Sequence, residues 1–280
     1  MTSWARVIEK LSMLVTAILA VRNEEAYLAN CLRHLMRNDV RFAIIDHGSS
    51  DGSADIYGRQ EFAAHLIQVV QLPFGGVFSL AEQLRQKIAL VDSIATDWVI
   101  HLDADEVMHS NRPAETLAEA LARLDAEGWN VVNFDEFVFL PVESDYVPDA
   151  PGDQPMALYY FFQPHAPRLM RAWRKGCGFS PVEQAGHVLV GSDLRLAPEH
   201  LALRHYIFRS QEHAFTKYAS RNFADNEIAR GWHMKRINQP RESFQFPPAA
   251  LLKRLASPSD RRLDRSDPWV VHYWQGARGS

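Results

Sequence analysis

Four short apolar runs, separated by segments with helical spacing, constrain this chain more than any other feature. The runs occupy residues 14–21, 42–46, 66–70 and 98–102. The near-continuous hydrophobicity of the first predicts a strand buried on both faces rather than one with a wet side, and the other three read as the strands that follow it. After the first run, Asn23 can cap a helix, Glu24 and Glu25 suit its positive end, and Leu28, Leu32, Leu35 and Met36 recur at helical spacing. The second run ends at Asp46 and leads into His47-Gly48-Ser49-Ser50-Asp51-Gly52, a polar turn, then a short helix through Ile56. Ser79-Leu80-Ala81-Glu82 has the form of a capping box and predicts a helix ending near Ile94. Pro113 suits the first turn of a further helix, which Gly128 would stop. Strands alternating with helices in this way predict an α/β fold, a parallel sheet flanked by helices on both faces.

In such sheets, ligands bind beyond the carboxyl ends of the strands. Asn23, Asp46, Asp103 and Asp105 all fall there. The last two belong to His101-Leu102-Asp103-Ala104-Asp105-Glu106, with three carboxylates in four residues directly after an apolar strand. If the backbone stays extended, Asp103 and Asp105 point the same way. Like charges so placed need a cation or hydrogen-bond donors, and hard divalent ions such as Mg²⁺ and Mn²⁺ take carboxylate oxygens together with substrate phosphates.

The chain of 280 residues is 47% hydrophobic, with a net charge of −4, which argues against a general nucleic-acid binder. Cys31 and Cys177 form no CxxC pair, so reduced thiols in a cytoplasmic protein are expected. The run 14–21 is too short to span a membrane. Beyond residue 140, the acidic, proline-rich stretch 141–155 predicts a loop, and 156–208 reads as short strands. Ser210 then opens a helix carrying Phe215, Tyr218 and Phe223.

Three segments in this order resemble the GT-A glycosyltransferases, family 2 in particular: Val21-Arg22-Asn23-Glu24-Glu25, Asp46-His47-Gly48-Ser49-Ser50-Asp51-Gly52-Ser53, and Trp98 through Glu106 with its D-x-D-E pattern. The D-x-D-E strand is common in one bacterial branch. Leu203-Arg204-His205-Tyr206, followed by Arg209-Ser210 and Lys217, resembles the end of the catalytic domain in that branch. The resemblance implies a GT-A (Rossmann-like), mostly parallel sheet with a small mixed β region and a C-terminal helical extension. It implies a catalytic domain over 1–235, with a nucleotide-binding half 1–130 and an acceptor-side half 131–235, and an extension over 236–280. It also implies an inverting transfer from a nucleotide-sugar donor, assisted by Mn²⁺ or Mg²⁺, to a saccharide or glycolipid acceptor in surface polysaccharide or glycolipid synthesis.

Under that resemblance, Asp105 is the metal-binding acid, and Asp103 contacts the ribose or shares the metal. Asp46 accepts from the nucleobase or ribose, and Arg22 and Asn23 line the base pocket; the alternative for Asp46 is an Asx turn. His205, or else His187, is a candidate further metal ligand. The acceptor hydroxyl needs a general base. Glu183, in Phe179-Ser180-Pro181-Val182-Glu183, is the first candidate, although Val182 stands where relatives carry a histidine; Asp135, Glu136 and Glu199 are the others. Arg168, Arg171 and Lys175 are candidates to hold the diphosphate.

Other classes fit less well. A nicotinamide-dependent dehydrogenase needs G-x-G-x-x-G after the first strand, which is absent. A nucleotidyltransferase usually has a basic glycine-rich loop where this chain has Glu24 and Glu25. A non-catalytic nucleotide-binding protein of the same fold remains an alternative. At the C-terminus, Lys253, Arg254, Arg261, Arg262 and Arg265 leave peripheral contact with an inner-membrane surface open, although Asp260, Asp264 and Asp267 favour a solvated helix packed on the domain. Trp269 and Trp274 suit either a sugar face or a core.

Overall fold

The computed structural model describes residues 13–142, 156–218, 221–234, 237 and 239–275. The first half alternates strands and helices: β1 (Val15–Val21), α1 (Glu25–Arg37), β2 (Arg41–Asp46), α2 (Ser53–Tyr57), β3 (Leu66–Gln71), α3 (Leu80–Ser93) and β4 (Trp98–Leu102). There follow β5 (Glu106–His109), α4 (Leu117–Ala126), β6 (Val131–Leu140), β7 (Leu158–Phe162), β8 (Met170–Arg174), β9 (Leu201–His205), α5 (Gln211–Tyr218), α6 (Asp225–Ile228) and β10 (Lys253–Arg254).

Alternation along the strands sorts the core into two layers. Val15, Ala17, Leu19 and Val21 of β1 pack with Phe42 and Ile44 of β2 against α1, α2 and α4. Ile18, Ala43 and Ile45 face the other way, against Leu90 and Val91 of α3. The amphipathic stripe of α1 buries Leu28, Leu32 and Leu35 almost completely, worth roughly 2 kcal/mol for each side chain. Helices thus cover both faces of the sheet, as an α/β sequence requires.

The ten strands run β10-β7-β6-β8-β4-β1-β2-β3, with β9 pairing both β6 and β5. Only the edge β4-β1-β2-β3 is a continuous parallel array. The remainder is mixed: β8 runs antiparallel between β4 and β6, and β7 and β10 are antiparallel too, while β9 is parallel to β6. The expectation of a mostly parallel sheet therefore holds for the first half alone. The ten-residue β6 joins the two regions, its start extending the main sheet and its end pairing with β7 and β9.

Several local expectations shift. Asn23 does not cap α1; Glu24 is the N-cap and no side chain caps it, while Asn23 adopts φ 56°. Pro113 lies in a turn before α4, which starts at Leu117 behind a full capping box of Thr116 and Glu119. Among the described residues after 236 there are 3₁₀ turns and β10 but no α-helix, so the C-terminal helical extension is corrected to an irregular strap. That strap enters the core: Trp269 stacks on Tyr160 at 4.5 Å between ring centroids, and Trp274 lies against Phe208 at 5.2 Å. Both tryptophans are buried, which settles them as packing residues. Most of loop 141–155 lies outside the described residues. Among those described, no helix is long and apolar enough to cross a membrane.

Candidate functional site

The parallel register sets the rim. Val21 pairs with Asp46, and Leu19 with Leu102, so β1, β2 and β4 release their following loops side by side. The loops after β1 and β2 are stitched together. Asn23 Oδ1 accepts from Ser50 N at 2.8 Å, Glu24 N donates to Ser53 Oγ at 2.9 Å, and Glu25 Oε2 accepts from Gly52 N at 3.1 Å. Asn23 therefore acts first as a loop clamp. Asp46 is filled as well: Oδ1 accepts from Ser49 N and Oδ2 from the Tyr57 hydroxyl, both at 2.8 Å. Asp46 thus closes the following turn through the amide three residues on, one residue longer than an Asx turn, and Gln71 braces it by donating to Tyr57 at 3.1 Å. Arg22 donates to the carbonyls of His47 and Gly48 and lies 3.3 Å over the Phe74 ring, forming a flat cationic platform beside Asp46.

At the end of β4 the chain turns instead of staying extended. Glu106 N donates to Asp103 O at 3.1 Å, and the Glu106 carboxylate accepts from Asp103 N at 3.0 Å. The turn gives the two aspartates different nearest partners, although each still senses the other's charge. Asp103, with its side chain 48% exposed, lies 3.4 Å from Lys87 Nζ of α3 and 4.0 Å from Arg171 of β8. Asp105 is buried and turns toward the β9–α5 connection. Its Oδ2 accepts from Lys217 Nζ at 2.5 Å and faces His205 Nε2 at 3.4 Å. Burial works against ionisation of Asp105, but Lys217 and His205 outweigh it and hold the carboxyl far below its ordinary range. Arg171 bonds Glu106 at 3.1 Å, so Glu106 braces the turn from beneath.

His205 stands opposite Glu106 in the β5–β9 pairing, and its Nδ1 is 2.6 Å from Glu136 Oε1. Glu136 in turn pairs with Arg168, which lies over Phe162. Burial lowers the His205 pKa, yet Asp105 and Glu106 reverse this and leave it raised. Glu24 closes the cluster from the β1 side. Its carboxyl is pushed up to about 7 by burial, with Lys217 opposing and Asp105 and Asp103 adding to the rise.

Among the described residues, no three His, Cys, Asp or Glu side chains are grouped so as to hold a metal ion unaided. The donor set nevertheless fits a hard divalent ion that draws its remaining ligands from phosphate oxygens, since one or two carboxylates suffice there. A positive group, Lys217, already occupies Asp105 Oδ2. His205 shows the imidazole–carboxylate support common behind metal-bound histidines, with Nδ1 on Glu136 and Nε2 turned to Asp105.

The other candidates lie elsewhere or are engaged. Glu183 sits in an exposed turn, where its carboxylate accepts from Ser180 Oγ at 2.7 Å. That turn rests on the β4 strand, because a Cβ at Gly186 would come within 2.8 Å of His101 Cε1. Asp135 is tied to His200 and Arg265, and Glu199 to Arg123 and Arg112. His187 follows the same turn with its side chain exposed. Lys175 bonds the Ile94 carbonyl at the opposite end of β4, away from the rim. In the C-terminal strap, Lys253 pairs with Asp264, Arg262 with Asp260 and Arg265 with Asp135, while Arg261 bonds the Glu115 carbonyl. Lys87 had no role in the pattern of the sequence, and Glu24 entered it as an acid at a helix start rather than as part of this cluster. A lysine on the buried face of α3 was the available signal for Lys87.

Residues 16–145 match the model of glycosyl transferase family 2. Over 118 residues the chain is 32% identical to the lipopolysaccharide core biosynthesis glycosyltransferase LpsC of Rhizobium meliloti, covering 42% of this chain and 41% of that one. The chain thus spans about two-fifths of the length of this curated relative. Among solved structures, it is similar to the mannosyltransferase PcManGT of Pyrobaculum calidifontis in complex with GDP-Man and Mn²⁺, with 18% identity, a TM-score of 0.43, and coverage of 79% of this chain and 62% of that one. It is also similar to S. aureus TarS in complex with UDP, with 14% identity, a TM-score of 0.41, and coverage of 72% and 63%.

Proposed function

From a chain that is glycosyltransferase family 2-like over residues 16–145, we propose a metal-dependent, inverting glycosyltransferase that moves a sugar from a nucleotide-sugar donor to a hydroxyl acceptor. The observation that carries this reading is the strand-end cluster of Asp103, Asp105, His205 and Lys217, set beside the Arg22–Asp46 rim on a parallel sheet. The likeness to LpsC supports an acceptor in surface polysaccharide or glycolipid synthesis; an enzyme with that role would work in the cytoplasm or peripherally at the inner membrane. Residues 1–235 would form the catalytic domain and 236–280 the strap that braces its acceptor side.

The chain's own residues divide the work. Arg22 over Phe74 offers a face on which a base can stack, and Asp46 fixes the turn that shapes its pocket. Asn23 locks that turn to the β1 loop. Asp103, the more exposed aspartate, is placed to meet a ribose hydroxyl or share a cation. Asp105, supported by His205, would hold a divalent ion of the Mg²⁺ or Mn²⁺ type. Such an ion supplies Lewis-acid neutralisation of a leaving diphosphate. Glu183 is assigned as general base: of the four carboxylates considered, it alone carries no ion pair in the described structure, and its hydrogen bond from Ser180 keeps its pKa low and the group ionised.

Calorimetry with UDP-, GDP- and TDP-sugars, with and without Mn²⁺, tests the reading. Metal-dependent binding of at least one is expected, abolished in Asp105→Ala. Glu183→Gln should keep donor binding and lose at least about a hundredfold in turnover. A folded protein that binds none of these donors, or that binds a nucleoside triphosphate and releases pyrophosphate, would overturn it.

A further inference from the structure

Lys217 is the residue of the cluster that the strand order does not supply. It comes from α5, after β9, and reaches back so that its Nζ lies 2.5 Å from Asp105 Oδ2 and 3.4 Å from the Ile207 carbonyl. Its side chain is 13% exposed, and that of Asp105 is 5% exposed. The same Oδ2 faces His205, whose other ring nitrogen is held by Glu136. The oxygen best placed to ligate a divalent ion is thus already neutralised by an ammonium group. A hard cation sits at about 2.1 Å from a carboxylate oxygen, which leaves no room for a second positive group on that side. The Ile207 carbonyl is a second acceptor that the ammonium already touches and can turn to once it leaves Asp105. Phosphate oxygens arriving at the rim would offer it more.

We propose that Lys217 and a divalent ion exclude one another at Asp105, so that the nucleotide-free protein holds the ion weakly and an incoming diphosphate, by drawing the ammonium away, makes the ion bind. The identity of the diphosphate rests on the glycosyltransferase reading; the exclusion itself does not. Lys217 is in this sense a positioning residue that couples two ligands, and coupling is reciprocal: the ion and the nucleotide raise each other's affinity by one common factor.

Calorimetric titration of Mn²⁺ alone into the full chain provides the test. Lys217→Met and Lys217→Gln should each bind Mn²⁺ about tenfold tighter than the parent, and Lys217→Arg should behave as the parent. The Gln variant keeps a hydrogen-bond partner for Asp105 and protects the test if the Met variant fails to fold. Adding Asp105→Asn to either variant should remove the gained affinity. With UDP or GDP present, the enhancement of Mn²⁺ affinity should shrink in the neutral variants by the factor gained without nucleotide. Neutral variants that bind Mn²⁺ no tighter than the parent would overturn the proposal. If the parent binds neither UDP nor GDP in Mn²⁺, the nucleotide-sugar reading fails, while the comparison with Mn²⁺ alone still decides the role of Lys217.

Discussion

His109 donates from Nδ1 to the Ser110 carbonyl at 2.9 Å, and its Nε2 accepts from the Arg204 guanidinium at 3.2 Å. A ring so placed must stay neutral, because a second proton would face Arg204. Burial first, and Arg204 second, push its pKa down to about 3, and burial pushes His34 down to about 4. The unfolded chain takes up these protons near pH 6.5, so their contribution to stability is complete above that value and is lost as pH falls toward 4. Each group can change stability by about 1.4 kcal/mol per pH unit in that window. Thermal unfolding followed from pH 7 to 4.5 should show a falling midpoint, with a shallower fall in His109→Gln; a flat profile would refute this account. At the same scale, Asp103 and Asp105 were legible as a strand-end pair. The different partners they take were not, because these depend on Glu106 folding back to bond Asp103 N and close the turn.

Helix α3 shows how an element can be readable while its anchoring is not. Ser79 caps it as the local pattern predicts, accepting from Glu82 N at 3.2 Å. The Glu82 side chain, however, turns to Arg85 and Gln86, and the returning carboxylate comes from Glu227 of α6. Glu227, fully buried, accepts from Ser79 Oγ at 2.8 Å, Leu80 N at 3.1 Å, Ala81 N at 2.7 Å and His233 Nε2 at 2.9 Å. A negative charge at a helix N-terminus with four donors is a favourable arrangement. Glu227→Ala should therefore cost about 3 kcal/mol in urea unfolding, by stranding buried donors, and Glu227→Gln clearly less. Equal and small losses in both would show that the carboxylate is not the anchor. Helix α4 closes its capping box within four residues, Thr116 to Glu119, a local pattern that the reading from Pro113 passed over, and Asn38 of the α1 C-terminus adds a distant acceptor for Leu117 N at 3.1 Å.

At the scale of the molecule, the C-terminal strap is part of the core it crosses. Trp274 packs with Phe208, Tyr218 and Tyr273, and Arg204 reaches into the strap to bond the Pro258 carbonyl at 2.9 Å. Trp274→Ala should lower stability by about 3–5 kcal/mol in a single cooperative transition. A loss below about 1 kcal/mol, or a separate early transition, would mean that the strap is not built into the fold. The alternating apolar runs and helical stripes determined by themselves the order β1 to β4, the covering of both faces, and the polar rim of Asn23, Asp46, Asp103 and Asp105. Those features rest on local period and on burial, which a sequence records directly. Tertiary structure alone decided the antiparallel insertion of β8, the pairing of Glu106 with His205 across β5 and β9, and the 112-residue reach from Asp105 to Lys217. A charge is placed by the whole chain's path, and the position of a lysine along the sequence carries no record of which carboxylate it will meet.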